Sequence, residues 1–172
     1  MPSPIAHSVS GYVIASFVND LNSTKNHDFK WFINIIYPIL IASFADLDFI
    51  PQIITGVNFH RGLTHSLLFS VAFSVLAGLM INCCFKISYH KIFWLTFILY
   101  DSHLCLDFFT RQGIPLLWPF IDSRFKSPIS IFPSVHHSRG LFHHSHLLFI
   151  TFEISYSLLI LWGLKKWKES RL

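Results

Sequence analysis

Charge is scarce in this sequence. Only 13% of its 172 residues are Asp, Glu, Lys or Arg, whereas soluble domains carry about 25%. A soluble chain of this length has too little polar surface to cover a hydrophobic complement of 52% that includes 19 Phe. Cysteine is sparse too. The three present (Cys83, Cys84, Cys105) lie in apolar runs without CxxC spacing, so a cysteine metal knuckle or redox pair is excluded and small buried hydrophobes are expected. No basic stripe runs along the chain. Its net charge of +4 comes from scattered Lys and Arg, so no nucleic-acid partner is expected. The opening stretch lacks a positive n-region and carries His7, so no cleavable signal peptide is expected either.

What the chain does have is histidine, 11 residues against 13 Lys and Arg. A lipid-embedded chain avoids a polar, titratable, metal-binding side chain unless that side chain has a task. Five apolar stretches surround these histidines: Ile5–Val18, Trp31–Ala45, Ser66–Phe85, Ile92–Phe109 and Leu147–Leu164. A full helical span needs about 20 apolar residues. The third stretch meets that length, the fourth and fifth approach it, and the first two are short enough to be tilted or re-entrant. The expected fold is all-α: a single domain over residues 1–172, a polytopic membrane bundle of four to five membrane helices.

Alternating the five stretches across a bilayer sorts the basic residues. Lys25, Lys30, Lys86, Lys91, Lys165, Lys166, Lys168 and Arg171 fall on one side; Arg61, Arg111, Arg124, Lys126 and Arg139 fall on the other. The richer side is expected to be cytoplasmic. On the same map His7, Asp46, Asp48, His60, His65, His103 and Asp107 gather at the opposite, periplasmic face.

Asp46-Leu47-Asp48 closes an apolar helix, and two adjacent carboxylates repel unless a cation or donor lies between them. His60 and His65 flank a turn at Gly62, with Thr64 or Ser66 free to cap the next helix. His103 and Asp107 share a helix face at i, i+4. Each pattern also has a plain reading: a solvated acidic turn, incidental interfacial histidines, a hydrogen-bonded pair inside a bundle. Asp101 reads as a helix-contact or supporting residue. The segment 110–120, with Gly113, Pro115 and Pro119, reads as an interfacial lid rather than a chemical centre. The tract VHHSRGLFHHSHLLF (135–149) partly repeats residues 61–69 and adds His136, His137, His143, His144 and His146. It extends the site or forms a histidine-rich loop. Glu153, inside the last stretch, is a reserve ligand or base.

Taken in order, His7-Ser in PIAHSVSG, the DLD at 46–48, HRGLTHSLLF at 60–69 and the run from His103 through LDFFTRQGIPLLWPF resemble a bacterial family of inner-membrane metal-dependent hydrolases, the YdjM-like family, also described as LexA-binding. Phe49 stands where members of that family often carry His. A fainter likeness connects the chain to zinc-dependent phospholipase C. The resemblance implies a multi-pass inner-membrane hydrolase with one or two divalent ions, zinc by preference. The implied ligands are His7, Asp48, His60, His65, His103 and Asp107. Asp46 would be a further ligand or support one; Asp46 or Asp107, where not ligating, would take a proton, and Arg61 would stabilise developing negative charge. The implied partners are membrane lipid and a small-molecule or lipid substrate, plausibly a phosphoester; no protein partner is indicated. Two other readings use the same residues: a metal or proton pathway across the bilayer, and a non-catalytic adaptor with a structural metal.

Overall fold

A computed structural model of the chain describes residues 3–18, 30–56, 60–132 and 144–171, with side chains throughout except at 144–146. These residues form six α-helices and no strand, only an isolated bridge between Ile114 and Phe125. We number the helices α1 (Pro4–Val18), α2 (Tyr37–Ala42), α3 (Phe49–Thr55), α4 (Leu67–Phe85), α5 (Tyr89–Phe108) and α6 (His144–Glu169).

Helix α5 is the pillar of the bundle. It buries Ile92, Leu95, Thr96, Leu99, Tyr100, His103, Leu104 and Asp107, a stripe at three- and four-residue spacing. The stripe is apolar at its start and polar at its end, so the face that packs the core also delivers His103 and Asp107. Helix α4 lies along it through Ser70, Ser74 and Gly78. Small residues four apart let two backbones approach closely. A Cβ at Gly78 would come within 2.9 Å of the Tyr89 ring. Helix α1 uses the same device with Ala6, Ser10, Gly11 and Ala15. A Cβ at Gly11 would collide with Ala42 and lie 2.8 Å from the Pro38 carbonyl oxygen, so only glycine allows α1 to sit this close to α2. On its other side α1 meets α6. There the Ser10 and Tyr156 hydroxyls are 2.8 Å apart, and the Glu153 carboxylate accepts the Ser3 backbone N–H.

The segment between α1 and α4 is broken rather than continuous. A π-helical turn (Phe32–Ile36) leads into α2, and Ser43 interrupts it. A tight 3₁₀ turn (Phe44–Asp48) then leads into α3, and the two halves bend by 48°. Gly56 ends α3 with φ +69°, the left-handed conformation that glycine adopts without strain. The break presents Asp46 and Asp48 to the end of the bundle where α4 begins and α5 ends.

Two helices are long and apolar enough to cross a membrane, Leu67–Phe85 and Leu147–Glu169, and the bent pair makes a third if it is one span. The sequence reading expected four to five. Helix α5 has the length, but its embedded His, Lys and Asp side chains remove it from the apolar set, and the 15 residues of α1 are too few. Only 17% of each qualifying span is buried inside the protein, and Leu76, Met80, Leu159 and Trp162 face outward. The cysteines are a correction: Cys83, Cys84 and Cys105 are exposed, because they lie on the outward faces of α4 and α5 rather than in the core.

Candidate metal centre

The site is assembled where the N-terminal part of α1, the broken segment, the loop before α4 and the C-terminal end of α5 meet. His7, His65, His103 and Asp107 are buried essentially completely. Three overlapping sets of ligand atoms lie within 4.8 Å of one another: His7, Asp46 and His103; Asp46, His60 and His65; His65, His103 and Asp107.

Three of the four rings are oriented from behind. The helix break at Ser43 leaves the Ala42 carbonyl available, and His103 Nδ1 donates to it at 2.8 Å. A carbonyl only accepts, so the proton is on Nδ1 and the lone pair of Nε2 faces the cluster. His60 Nδ1 lies 2.7 Å from Asp48 Oδ1, and His65 Nδ1 lies 3.2 Å from Asp48 Oδ2. Asp48 also accepts from the Arg61 backbone N–H at 3.0 Å and the Thr64 hydroxyl at 2.7 Å. Tyr100 in turn donates to the Thr64 carbonyl at 2.8 Å.

The inner surface is different in kind. His65 Nε2 lies 3.3 Å from His103 Nε2 and 3.3 Å from Asp107 Oδ2. His103 Nε2 is 3.8 Å from that same oxygen and 3.7 Å from Asp46 Oδ1. Ligands about 2.0–2.1 Å from a tetrahedral zinc lie roughly 3.3 Å apart, so these separations are those of a ligand shell. Both nitrogens of His7, both oxygens of Asp46 and Asp107 Oδ2 are buried without a hydrogen-bond partner among the described residues. Asp107 Oδ2 is near His65 but out of line for a hydrogen bond. Buried polar atoms are nearly always paired, so five converging orphans call for a ligand.

Charge points the same way. Asp46, Asp48 and Asp107 bring three formal negative charges against one permanently charged cation at the site among the described residues, Arg61, a formal excess of two. Burial lowers the pKa of His65, but the Asp107 and Asp48 carboxylates beside it outweigh burial, so the imidazole holds a proton more tightly than a free histidine. A cation suits the same place.

The family model described as YdjM inner membrane protein matches residues 1–168. The chain belongs to this family. Comparison with the curated proteins and with the solved structures gave no match. Inner-membrane membership agrees with the two to three helices able to cross a bilayer.

All seven residues expected at the periplasmic face lie together, but in two layers. His7, Asp46, His60, His65, His103 and Asp107 offer atoms to the ligand groups. Asp48, expected as a ligand, belongs to none of those groups. Its oxygens are engaged by donors from residues 60–65, and it serves as the anchor of two histidines. Arg61 differs as well. It is 1% exposed, and its guanidinium is held by Asp107 Oδ1 at 2.7 Å, the Thr110 hydroxyl at 2.8 Å and the Gly113 carbonyl at 3.1 Å. It fixes Asp107 from behind instead of offering a fork to a substrate, and it does so with φ +61°, a strained backbone for a non-glycine residue. Asp101 accepts from Ser70 at 2.8 Å and ties α5 to the start of α4. Ser66, not Thr64, caps α4. Glu153 belongs to the α1–α6 contact and to none of the ligand groups. Of the histidine tract, residues 136, 137 and 143 and the side chains of 144 and 146 lie outside the described residues. The Ala42 carbonyl and Tyr100 were not anticipated. A carbonyl freed by a helix break has no sequence signature, and Tyr100 reads as one more aromatic in an apolar run.

Proposed function

We propose that this protein is a multi-pass inner-membrane hydrolase that uses a divalent metal, zinc by preference, at the periplasmic end of a bundle of four to five membrane helices. The observation that carries this reading is the set of buried, unpartnered ligand atoms of His7, Asp46 and Asp107 facing His65 and His103. The donor set of imidazole nitrogen and carboxylate oxygen suits zinc. When bound, such an ion supplies a Lewis acid and acidifies water toward neutral pH.

The remaining roles belong to the chain. His65, His103 and Asp107 would hold the ion. The Ala42 carbonyl and Asp48 keep the imidazoles turned inward, and Arg61 keeps Asp107 in place. Asp46 has both oxygens buried without a hydrogen-bond partner among the described residues. In a one-ion site it is the group suited to take a proton from water on a carboxylate oxygen. Asp107, expected to share that role, is committed by Arg61 and the histidines. The substrate we favour is an amphiphilic phosphoester. Its support is the segment after α5, whose Ser127 and Ile131 amides bond to the Phe108 and Phe109 carbonyls at 2.9 and 3.1 Å while Phe120, Ile129 and Ile131 project outward. Apolar side chains at the mouth of a site suit a lipid surface.

Complete burial of three ligands also favours a second reading, a closed structural metal in a non-catalytic adaptor. One experiment separates the two: detergent-purified protein is assayed on a phosphoester panel beside Asp46→Asn. Hydrolysis by wild type that falls about 10²–10⁴-fold in the variant, with metal retained, supports the enzyme. Bound metal without hydrolysis by wild type supports the adaptor.

A further inference from the structure

The cluster offers more than one ion can use. Six residues contribute to the three ligand groups, while a tetrahedral zinc takes four ligands and a catalytic one takes three from the protein. The surplus is not random. The histidines fall into two pairs, His7 with His103 and His60 with His65, and each pair forms a ligand group with Asp46. No other residue belongs to both of these groups. His7 and His103 stack at 3.7 Å between ring centroids, 18° from parallel, so their nitrogens stay side by side. His60 and His65 are turned edge to face and share Asp48 as their anchor.

Asp46 has the form of a bridge. Its two oxygens are buried without a partner among the described residues, which is costly for a carboxylate unless cations satisfy it. Its Oδ1 lies 3.7 Å from His103 Nε2. Asp107 Oδ2 lies between the pairs as well, 3.3 Å from His65 Nε2 and 3.8 Å from His103 Nε2. His7 is the least explained residue under a one-ion reading. It is buried, neither nitrogen has a hydrogen-bond partner among the described residues, and it is outside the His65, His103 and Asp107 group.

We propose, resting on the metal-dependent reading above, that the centre is dinuclear: one ion on His7 and His103, a second on His60 and His65, with Asp46 bridging them and Asp107 beside both. The charge balance then favours an anionic substrate. Two divalent ions over-compensate the formal excess of two negative charges in the cluster, and a phosphate group restores neutrality. When bound, two such ions would supply positive charge to both the attacking and the leaving oxygen at a phosphorus centre.

The test is metal loading of the full chain in detergent, stripped with chelator and dialysed against zinc or manganese. Metal per chain is measured by mass spectrometry, and the manganese form by electron paramagnetic resonance. The expected result is two ions per chain, a spin-coupled manganese spectrum, one ion in His7→Ala and one in His60→Ala. Asp46→Asn is expected to lose the coupling. His7→Gln, which keeps most of the side-chain volume, serves if the alanine variant aggregates. One ion per chain in wild type, unchanged in His7→Ala, overturns the dinuclear proposal and leaves the one-metal hydrolase standing. No bound ion in wild type overturns both. Two ions without coupling, both retained in His7→Ala, overturn the assignment of the pairs and the bridge.

Discussion

Helices α4 and α5 are neighbours of nearly equal length, 19 and 20 residues, packed side by side, yet they do opposite things. Helix α4 fully buries only Ser70, Ser74 and Gly78, rests Phe69 and Phe73 on Tyr100, and turns Leu68, Leu76, Leu79 and Met80 outward. Helix α5 buries a full stripe from Ile92 to Asp107. The first is a wall whose apolar residues meet the bilayer. The second is a pillar whose apolar residues meet the protein, and for that reason it can hold His103 and Asp107 at depth, where neighbouring elements supply partners. In a membrane, hydrophobicity alone does not distinguish core from surface; the buried small or polar residue does.

The comparison can be broken most severely at the polar end of α5. His103→Ala removes an inward nitrogen on a buried ring, and we expect loss of stoichiometric metal, read by mass spectrometry of the purified protein. A comparable change on α4, Met80→Ala, should leave metal content unchanged. Next is Arg61→Ala, which strands Asp107 in a buried site; breaking a buried pair from one side costs about 3–5 kcal/mol. Thermal unfolding in detergent should report it as a large loss. Within the apolar stripe, Leu99→Ala should cost about 2–5 kcal/mol as a core truncation, whereas Leu76→Ala on the outer face of α4 should stay within about 0.5 kcal/mol. Equal effects at these two positions would dissolve the distinction between wall and pillar. Asp48→Ala, which removes the anchor of His60 and His65 and the acceptor of the Arg61 N–H and Thr64 hydroxyl, should weaken metal binding by about 10–100-fold, measurable by competition with a chelator. Among the buried polar contacts the smallest effect is expected for Ser70→Ala, which removes one hydrogen bond to Asp101, about 0.5–1.5 kcal/mol in the same thermal unfolding.

Much of this was legible in the residues. Sparse charge and long apolar runs indicated helices in a membrane, and histidine and aspartate at the ends of those runs indicated one gathered site. The limits have physical causes. Hydropathy averages over a helix, so α5, half of it turned inward and polar, reads as a span by length but not by composition. Sequence spacing brings Asp48 and Asp46 equally close to the histidines. Only the 3₁₀ turn decides that Asp48 meets the donors of residues 60–65 while Asp46 keeps its oxygens unpartnered. An arginine beside two histidines suggests a hand for a substrate anion. Its burial behind Asp107, held through Thr110 and Gly113, depends on a loop some fifty residues away, with separations of 49 and 52.

The central claim is that the orphaned nitrogens and oxygens at the end of α5 are a metal shell. The most direct measurement is the metal content of the full chain purified in mild detergent without chelator, compared with His65→Ala. The account predicts at least one equivalent of a divalent transition metal, chiefly zinc, in wild type and its loss in the variant. Wild type that carries none and binds none on addition would contradict it.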